Sequence, residues 1–515
     1  MAEPTATGEP QGGDLAALAK GGRTNLVGFL LRLAARMPFL FIAGRLYGAA
    51  TLGRFASALV IVELVAMLCT MGEKRGLAQR LSDREDRENH AHLVSDGLVL
   101  ALIAGSLCAL ALWLFPYPMF PSGIHDEIDR LIVLSIPALA ITEILLAAQA
   151  YRFDIAATVR ARAVVEPWTI SIMAGAMYLV DRESGLSLAY IVSIYAALLT
   201  AAIPYLRSYG IPSGWRPSAR RMREITMRGL PLAGADAIEW GTRRLDIFIL
   251  GLFAAPSAVG VYYVAQQVAS LPQKLKTSFE PILGPVITRK LKEKDYTSIA
   301  RQVCQVGFWI TAAQAGVALA LGIPGEAVMG LVGPNFVGGT GALAFLLAAE
   351  VVAATAVVSE AALIYVARLR NLWVSVGTIV LQGLLTVGAM LLVDRLDLNE
   401  YYRAAAAAAA LMVALGVASV VKAVMLGRIL QERVNNWRWA LIWAAAAAVV
   451  VGHLMLLLPE WAELSLGVPA ILGIYSWIIW TRGFGPEDRV LFRRKITEDD
   501  VEAEAEEIEE HFNRP

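Results

Sequence analysis

Charge is scarce in this chain. Only 17% of its 515 residues are Asp, Glu, Lys or Arg, against about 25% in soluble domains, and the 45 bases are matched by 45 acids. A net charge of zero leaves no basic excess for phosphate contacts, so no nucleic-acid partner is expected. Cysteine is scarcer still. Cys69, Cys108 and Cys304 all sit in apolar runs without metal-ligand spacing, which excludes a disulfide framework and a metal site of that kind. No G-x-x-x-x-G-K-[ST] loop occurs, so the chain does not hydrolyse a nucleotide through a P-loop and no cofactor is expected. Residues 1–25 lack the compact apolar segment and small-residue cleavage site of a signal peptide and read as a cytosolic tail.

Apolar sequence is abundant. Hydrophobic residues make up 57% of the chain and the mean hydropathy is +0.56. With about 20 apolar residues per bilayer crossing, that supply suffices for about fourteen spans. Fourteen apolar runs do occur, at about 26–44, 55–72, 92–115, 130–150, 163–180, 187–206, 229–253, 259–278, 302–322, 339–366, 372–393, 403–426, 438–458 and 463–481. Runs of this length satisfy their backbone in lipid as helices, whereas barrel strands would alternate over short segments. The expected class is an all-α polytopic membrane protein with 14 transmembrane helices. Trp113, Phe115 and Tyr117 fit one interfacial belt, and Trp437, Trp439, Trp477 and Trp480 the other.

Orientation is read from Lys and Arg. If both termini are cytoplasmic, 34 of the 45 basic residues fall on that side, six on the other and five inside proposed helices. The sequence also repeats itself at an offset of 207 residues. Arg36 to Ala58 (RMPFLFIAGRLYGAATLGRFASA) aligns with Arg243 to Ala265 (RRLDIFILGLFAAPSAVGVYYVA), with identities that include Arg36/Arg243, Gly44/Gly251 and Gly53/Gly260. An even number of spans per copy gives two six-helix lobes in parallel repeat, related by an axis along the membrane normal. The expected division is an N-lobe over 26–206, a basic cytoplasmic linker over 207–228, a C-lobe over 229–426, two C-terminal helices within 427–481, and a charged cytosolic tail over 482–515.

Ionisable residues inside apolar runs cost at least about 2.5–3.5 kcal/mol each by insertion scales, which makes them candidates for function. Arg32 and Arg36 share a face of helix one, while Asp236, Glu239, Arg243 and Asp246 share a face of helix seven with Arg244 set to one side. The repeat places Arg36 and Arg243 at equivalent depth, where two guanidinium forks suit a phosphate or diphosphate. The plainer alternative has Arg243 neutralising its own helix-mates. Glu63, Glu143 and Glu350 lie in helices two, four and ten, as counter-charges to Arg32 and Arg36 or as carriers of a coupling ion, H⁺ or Na⁺. Lys422 reads as a snorkelling residue, and Glu166, Glu280 and Glu360 as solvated ones.

The duplicated segments AGRLYGAATLGRFASALVIVEL and ILGLFAAPSAVGVYYVAQQVASLP, followed by the basic MGEKRGLAQRL and SFEPILGPVITRKLKEKD, resemble the polysaccharide biosynthesis or O-antigen (Wzx-type) flippase family of the multidrug/oligosaccharidyl-lipid/polysaccharide (MOP) exporter superfamily. That resemblance implies a transporter of the bacterial inner membrane and not an enzyme. It implies translocation of an undecaprenyl-diphosphate-linked oligosaccharide for O-antigen, capsule or exopolysaccharide assembly, with membrane lipid, a polysaccharide polymerase and chain-length proteins as partners. Arg32, Arg36, Arg243 and Arg244 would then take the diphosphate. Lipid II flippases of the same superfamily also have two extra helices, the counterparts of the last two runs here. Two alternatives remain open from the residues: a multidrug and toxin extrusion antiporter driven by Na⁺ or H⁺, and a membrane scaffold for glycan assembly.

Overall fold

In the structure, a computed structural model, residues 37–82, 87–210, 212–275 and 287–489 are described. They are helical almost throughout. The long helices are α1 (Gly48–Cys69), α2 (Glu73–Ser82), α3 (Arg87–Leu114), α4 (Ser135–Tyr151), α5 (Glu166–Tyr178), α6 (Gly185–Tyr209), α7 (Ala219–Phe253) and α8 (Pro256–Leu275). They continue as α9 (Tyr296–Gly322), α10 (Gly325–Val332), α11 (Thr340–Val366), α12 (Arg368–Arg395), α13 (Glu400–Leu430), α14 (Trp439–Met455), α15 (Val468–Ile478) and the short α16 (Pro486–Arg489).

Among the described residues, nine helical segments are long and apolar enough to cross a membrane, and α14 is a shorter apolar helix. The apolar runs from 55 onward each fall on a helix, but the helices α5, α7 and α8 are not apolar enough to meet the same standard. The first run, 26–44, lies mostly outside the described residues, as do residues 490–515 of the acidic tail. Two helical pieces were not foreseen. α2 lies in what reads as a basic loop, with Glu73 buried against Arg80, and α10 with the following 3₁₀ turn Pro334–Gly339 forms a helical cap on α8 and α11.

Small residues govern the helix spacing, as expected where lipid offers no hydrophobic drive between helices. On α13 the buried positions Ala404, Ala407, Ala408, Leu411, Ala414 and Ala418 follow the 3–4 spacing of one face, and this face packs on α11. Ser419 closes that seam by donating to the Val352 carbonyl at 2.6 Å. A second core joins α9, α11, α13, α14 and α15, so the C-terminal helices are anchored on the second repeat. There Asp488 accepts from Arg438 (2.6 Å), Trp309 Nε1 (2.9 Å) and Gln305 (3.2 Å), tying α16 to α9 and to the start of α14.

The connection between the repeats is tied down as well. Arg221 forms a two-pronged pair with buried Asp96 of α3 (2.7 and 3.1 Å), and Trp215 donates to the same carboxylate at 3.0 Å.

Candidate functional site

The repeats meet along α1, α7 and α8. Gly53 of α1 and Gly260 of α8, aligned by the sequence repeat, are packed so tightly that a Cβ on either would stand 1.7 Å from the Pro256 carbonyl oxygen or 2.0 Å from that of Ala49. Pro256 is itself the repeat equivalent of Ala49, so one contact is made twice, at the ends of α1 and α8 that carry few bases. A second close approach lies at the basic end. The turn between α1 and α2 takes two successive left-handed residues, Met71 at φ 49° and Gly72 at φ 72°, and there a Cβ on Gly229 of α7 would fall 1.7 Å from the Met71 carbonyl oxygen.

Between these contacts is a cavity of about 120 Å³. At about 30 Å³ per water it holds only a few molecules. Met37, Phe55, Leu59 and Glu63 of the first repeat face Arg244, Tyr263, Gln267 and Ser270 of the second, with Glu166 and Tyr190 completing the wall. The 207-residue offset pairs Met37 with Arg244 and Glu63 with Ser270, so the cavity is built from equivalent positions of both copies.

Arg244 is its central charge. It reaches across to Glu63 at 3.6 Å and donates to Gln266 at 3.0 Å. Gln266 in turn donates to Asp246 (3.3 Å), which also accepts from the Tyr262 hydroxyl at 2.5 Å. A polar chain thus runs from the first repeat into the α7/α8 hairpin. The equivalent positions in the first repeat are Phe39 and Phe55, whose rings meet edge to face at 6.0 Å. The same contact between helices is aromatic in one copy and hydrogen-bonded in the other.

The other candidate charges are distributed around this core. Asp236, 3% exposed, pairs with Arg75 of α2 at 2.6 Å, so a second ion pair crosses between the repeats. Arg243 is exposed on α7. Glu239 lies on α7 with its side chain outside the described residues, and Arg32 and Arg36 lie outside them altogether, as does Glu280. Glu63 and Glu143, read as counter-charges for that arginine pair, have other partners: Glu63 takes Arg244, and Glu143 takes Lys74 at 3.1 Å together with Arg162. Arg162 also holds Glu166 at 2.6 Å, so Glu166 lines the cavity and is not a solvated end residue. Glu350 is partly buried on α11. Lys422 does not snorkel. It is 5% exposed and donates to Glu360 at 2.9 Å and Ser375 at 3.2 Å.

Sequence reasoning placed Arg244 with Arg32, Arg36 and Arg243 at the diphosphate, but the 3, 4, 3 spacing of its neighbours picked out a single face and left Arg244 beside it, without Glu63 as its partner. α7 in fact works on two faces, one toward α2 and one toward α1. The available signal was a lone Glu63 on an apolar helix, which calls for a partner on another helix.

A sequence model of a family described as "Polysaccharide biosynthesis protein" matches residues 42–312, just over half of the chain, and includes every residue lining the cavity except Met37, Phe39 and Leu40. The chain belongs to the polysaccharide biosynthesis protein family. A search of curated protein sequences finds no match. Among solved structures, this member of the polysaccharide biosynthesis family is similar to the lipid II flippase MurJ in an inward closed conformation, with a TM-score of 0.63 at 11% identity over 90% of this chain and 98% of that one. It is also similar to an inward-facing multidrug resistance MATE family transporter of the MOP superfamily, with a TM-score of 0.61 at 15% identity over 78% of this chain and 99% of that one. An outward-facing structure of such a transporter gives 0.54 at 13% identity over 83% and 100%. The family member therefore has the MOP-superfamily fold, as a multi-pass, all-helical membrane protein.

Proposed function

We propose that the chain is a flippase that moves an undecaprenyl-diphosphate-linked oligosaccharide from the cytoplasmic to the periplasmic leaflet by alternating access of two lobes. In this reading the N-lobe spans 26–206, the C-lobe 229–426, fourteen helices cross the membrane, and both termini with the basic loops face the cytoplasm. The observation that carries it is the cavity on the repeat axis, bridged by Arg244 and Glu63 and bounded on either side by a glycine contact. Family membership over residues 42–312 supports the same reading.

Chemically, the cavity as it stands is too small for a sugar diphosphate, so loading requires the lobes to part at the Gly229 end. A diphosphate entering there would compete with Glu63 for Arg244, whose planar fork can take two phosphate oxygens. That exchange removes one ion pair between the lobes and replaces it with a ligand held from the C-lobe, with Arg243 one residue away. Parting at the Gly53/Gly260 end would then release the head group on the far side, the prenyl chain staying in lipid throughout.

The test is a reconstituted assay in which a lipid-linked oligosaccharide becomes accessible to an added sugar-modifying reagent. Wild type should speed that exposure and Arg244→Ala should not. Equal rates with and without the protein would sink the proposal. The acid content of the cavity, Glu63 and Glu166 against one arginine, favours a second reading as a cation-coupled antiporter. Uptake of a cationic dye driven by a proton or sodium gradient, with no lipid-linked sugar moved, would decide for it.

A further inference from the structure

An apolar groove lies on the flank of the second repeat, away from the cavity between the lobes. Along α13, Val420, Val424 and Arg428 recur at intervals of four, with Val421 and Met425 in the neighbouring row. Arg370, in the first turn of α12, lines the groove together with Arg428, and the volume of the groove is about 480 Å³. From Val420 to Arg428 it runs about 12 Å along the helix. Its floor is open: Val420 is 65% exposed and Val424 48%.

Both arginines are exposed and neither has an ion-pair partner among the described residues. The nearby acids are engaged elsewhere, Glu360 with Lys422 and Glu432 with the Thr297 hydroxyl at 2.9 Å. The first turn of α12 carries no acid. Exposed Trp373 and Trp437 mark this level as the membrane interface.

We infer that this groove binds an anionic phospholipid of the leaflet at the basic end, its phosphate between Arg370 and Arg428 and an acyl chain along Val420, Val421 and Val424. Two cations above a wholly apolar trough match a ligand that is negative at one end and hydrocarbon at the other. A free phosphate would satisfy the arginines and leave the trough uncovered. The acidic segment Glu498 to Glu510 carries the right charge but only two large apolar residues, Val501 and Ile508, with which to fill it.

The full-length protein in phosphatidylcholine nanodiscs, given a small fraction of photoactivatable phosphatidylglycerol, tests this. Labelling should concentrate in residues 420–429 and be competed by phosphatidylglycerol, not by phosphatidylcholine or inorganic phosphate. The double variant R370Q/R428Q should weaken relative affinity about thirtyfold, roughly fivefold for each arginine near the surface, while R370K/R428K keeps most of it. Either glutamine single variant gives an intermediate value should the double variant fail to fold. Labelling unchanged in R370Q/R428Q, or displaced by inorganic phosphate, overturns the inference. So does a photo-crosslinking residue at position 424 that captures residues 498–510 in place of lipid.

Discussion

Gly53 and Gly260 hold one contact twice, each placing its α-carbon against the backbone of the other repeat, with 1.7 and 2.0 Å left for any added Cβ. Carbonyl oxygens form the opposing surface, and backbone cannot swing aside as a side chain can. Gly53→Ala or Gly260→Ala should therefore push α1 and α8 apart, with an overpacking cost of about 1–3 kcal/mol to the closed arrangement. Spin labels at exposed positions of the two helices should report a longer distance in either variant. A distance unchanged in both would show that the contact is not what holds this end shut.

Gly229 offers the opposite experiment. Its contact with the Met71 carbonyl lies at the basic end, so Gly229→Val should open the cavity from that side while leaving the Gly53/Gly260 end closed. A single cysteine at Ser270, which lines the cavity, should react faster with a membrane-impermeant thiol reagent added from the basic side. In Gly53→Val the faster reaction should come from the other side.

The Glu63 and Arg244 pair should behave as a unit. Glu63→Gln and Arg244→Gln each leave one charge in a half-buried site without its partner across the interface, and the double variant removes both. The coupling in a double-mutant cycle on thermal stability should fall within about 0.5–3 kcal/mol, as for residues in direct contact. Additive effects would mean that the 3.6 Å approach carries no energy.

Asp488 supplies a pH prediction outside the spanning segments. Burial disfavours its charge, but hydrogen bonds from Arg438, the Gly485 amide and Trp309 outweigh burial and hold the carboxyl below its ordinary 3.8. A group lowered in the folded state stabilises above its unfolded pKa and loses that contribution as pH falls through the folded one. The stability difference between wild type and Asp488→Asn should be full at neutral pH, persist to about pH 4, and shrink only below that value. A difference that disappears nearer pH 6 would contradict the assignment.

Much of the helix framework was legible because lipid imposes long apolar runs, and the repeat was legible because Gly53 and Gly260 sit where no side chain fits. The Arg244 partnership was not. Which face of α7 meets α1 depends on how two helices 180 residues apart in sequence are packed, and the helical period alone offers several faces equally. The polar chain Arg244, Gln266, Asp246 and Tyr262 was hidden for a related reason: its counterparts in the first repeat, Met37, Leu59, Phe39 and Phe55, are apolar, so self-comparison matches only Phe55 with Tyr262 and scores the other three positions as mismatches. α2 escaped notice because its sequence, EKRGLAQRLS, is basic and short, and only the burial of Glu73, Leu77 and Leu81 reveals a helix lying on its neighbours.

The doubled glycine contact also bears on how such a chain arose. An interface in which residue i of one unit meets residue j of the other, and j meets i, is the isologous geometry of a twofold homodimer. Two identical chains could have gripped each other through this one patch before any fusion, because a surface complementary to itself needs no second surface to evolve. Once the copies were joined, each half became free to diverge around the shared axis. Phenylalanines in one copy and a carboxylate with its tyrosine in the other are what that freedom would produce: a symmetric clasp around an asymmetric interior.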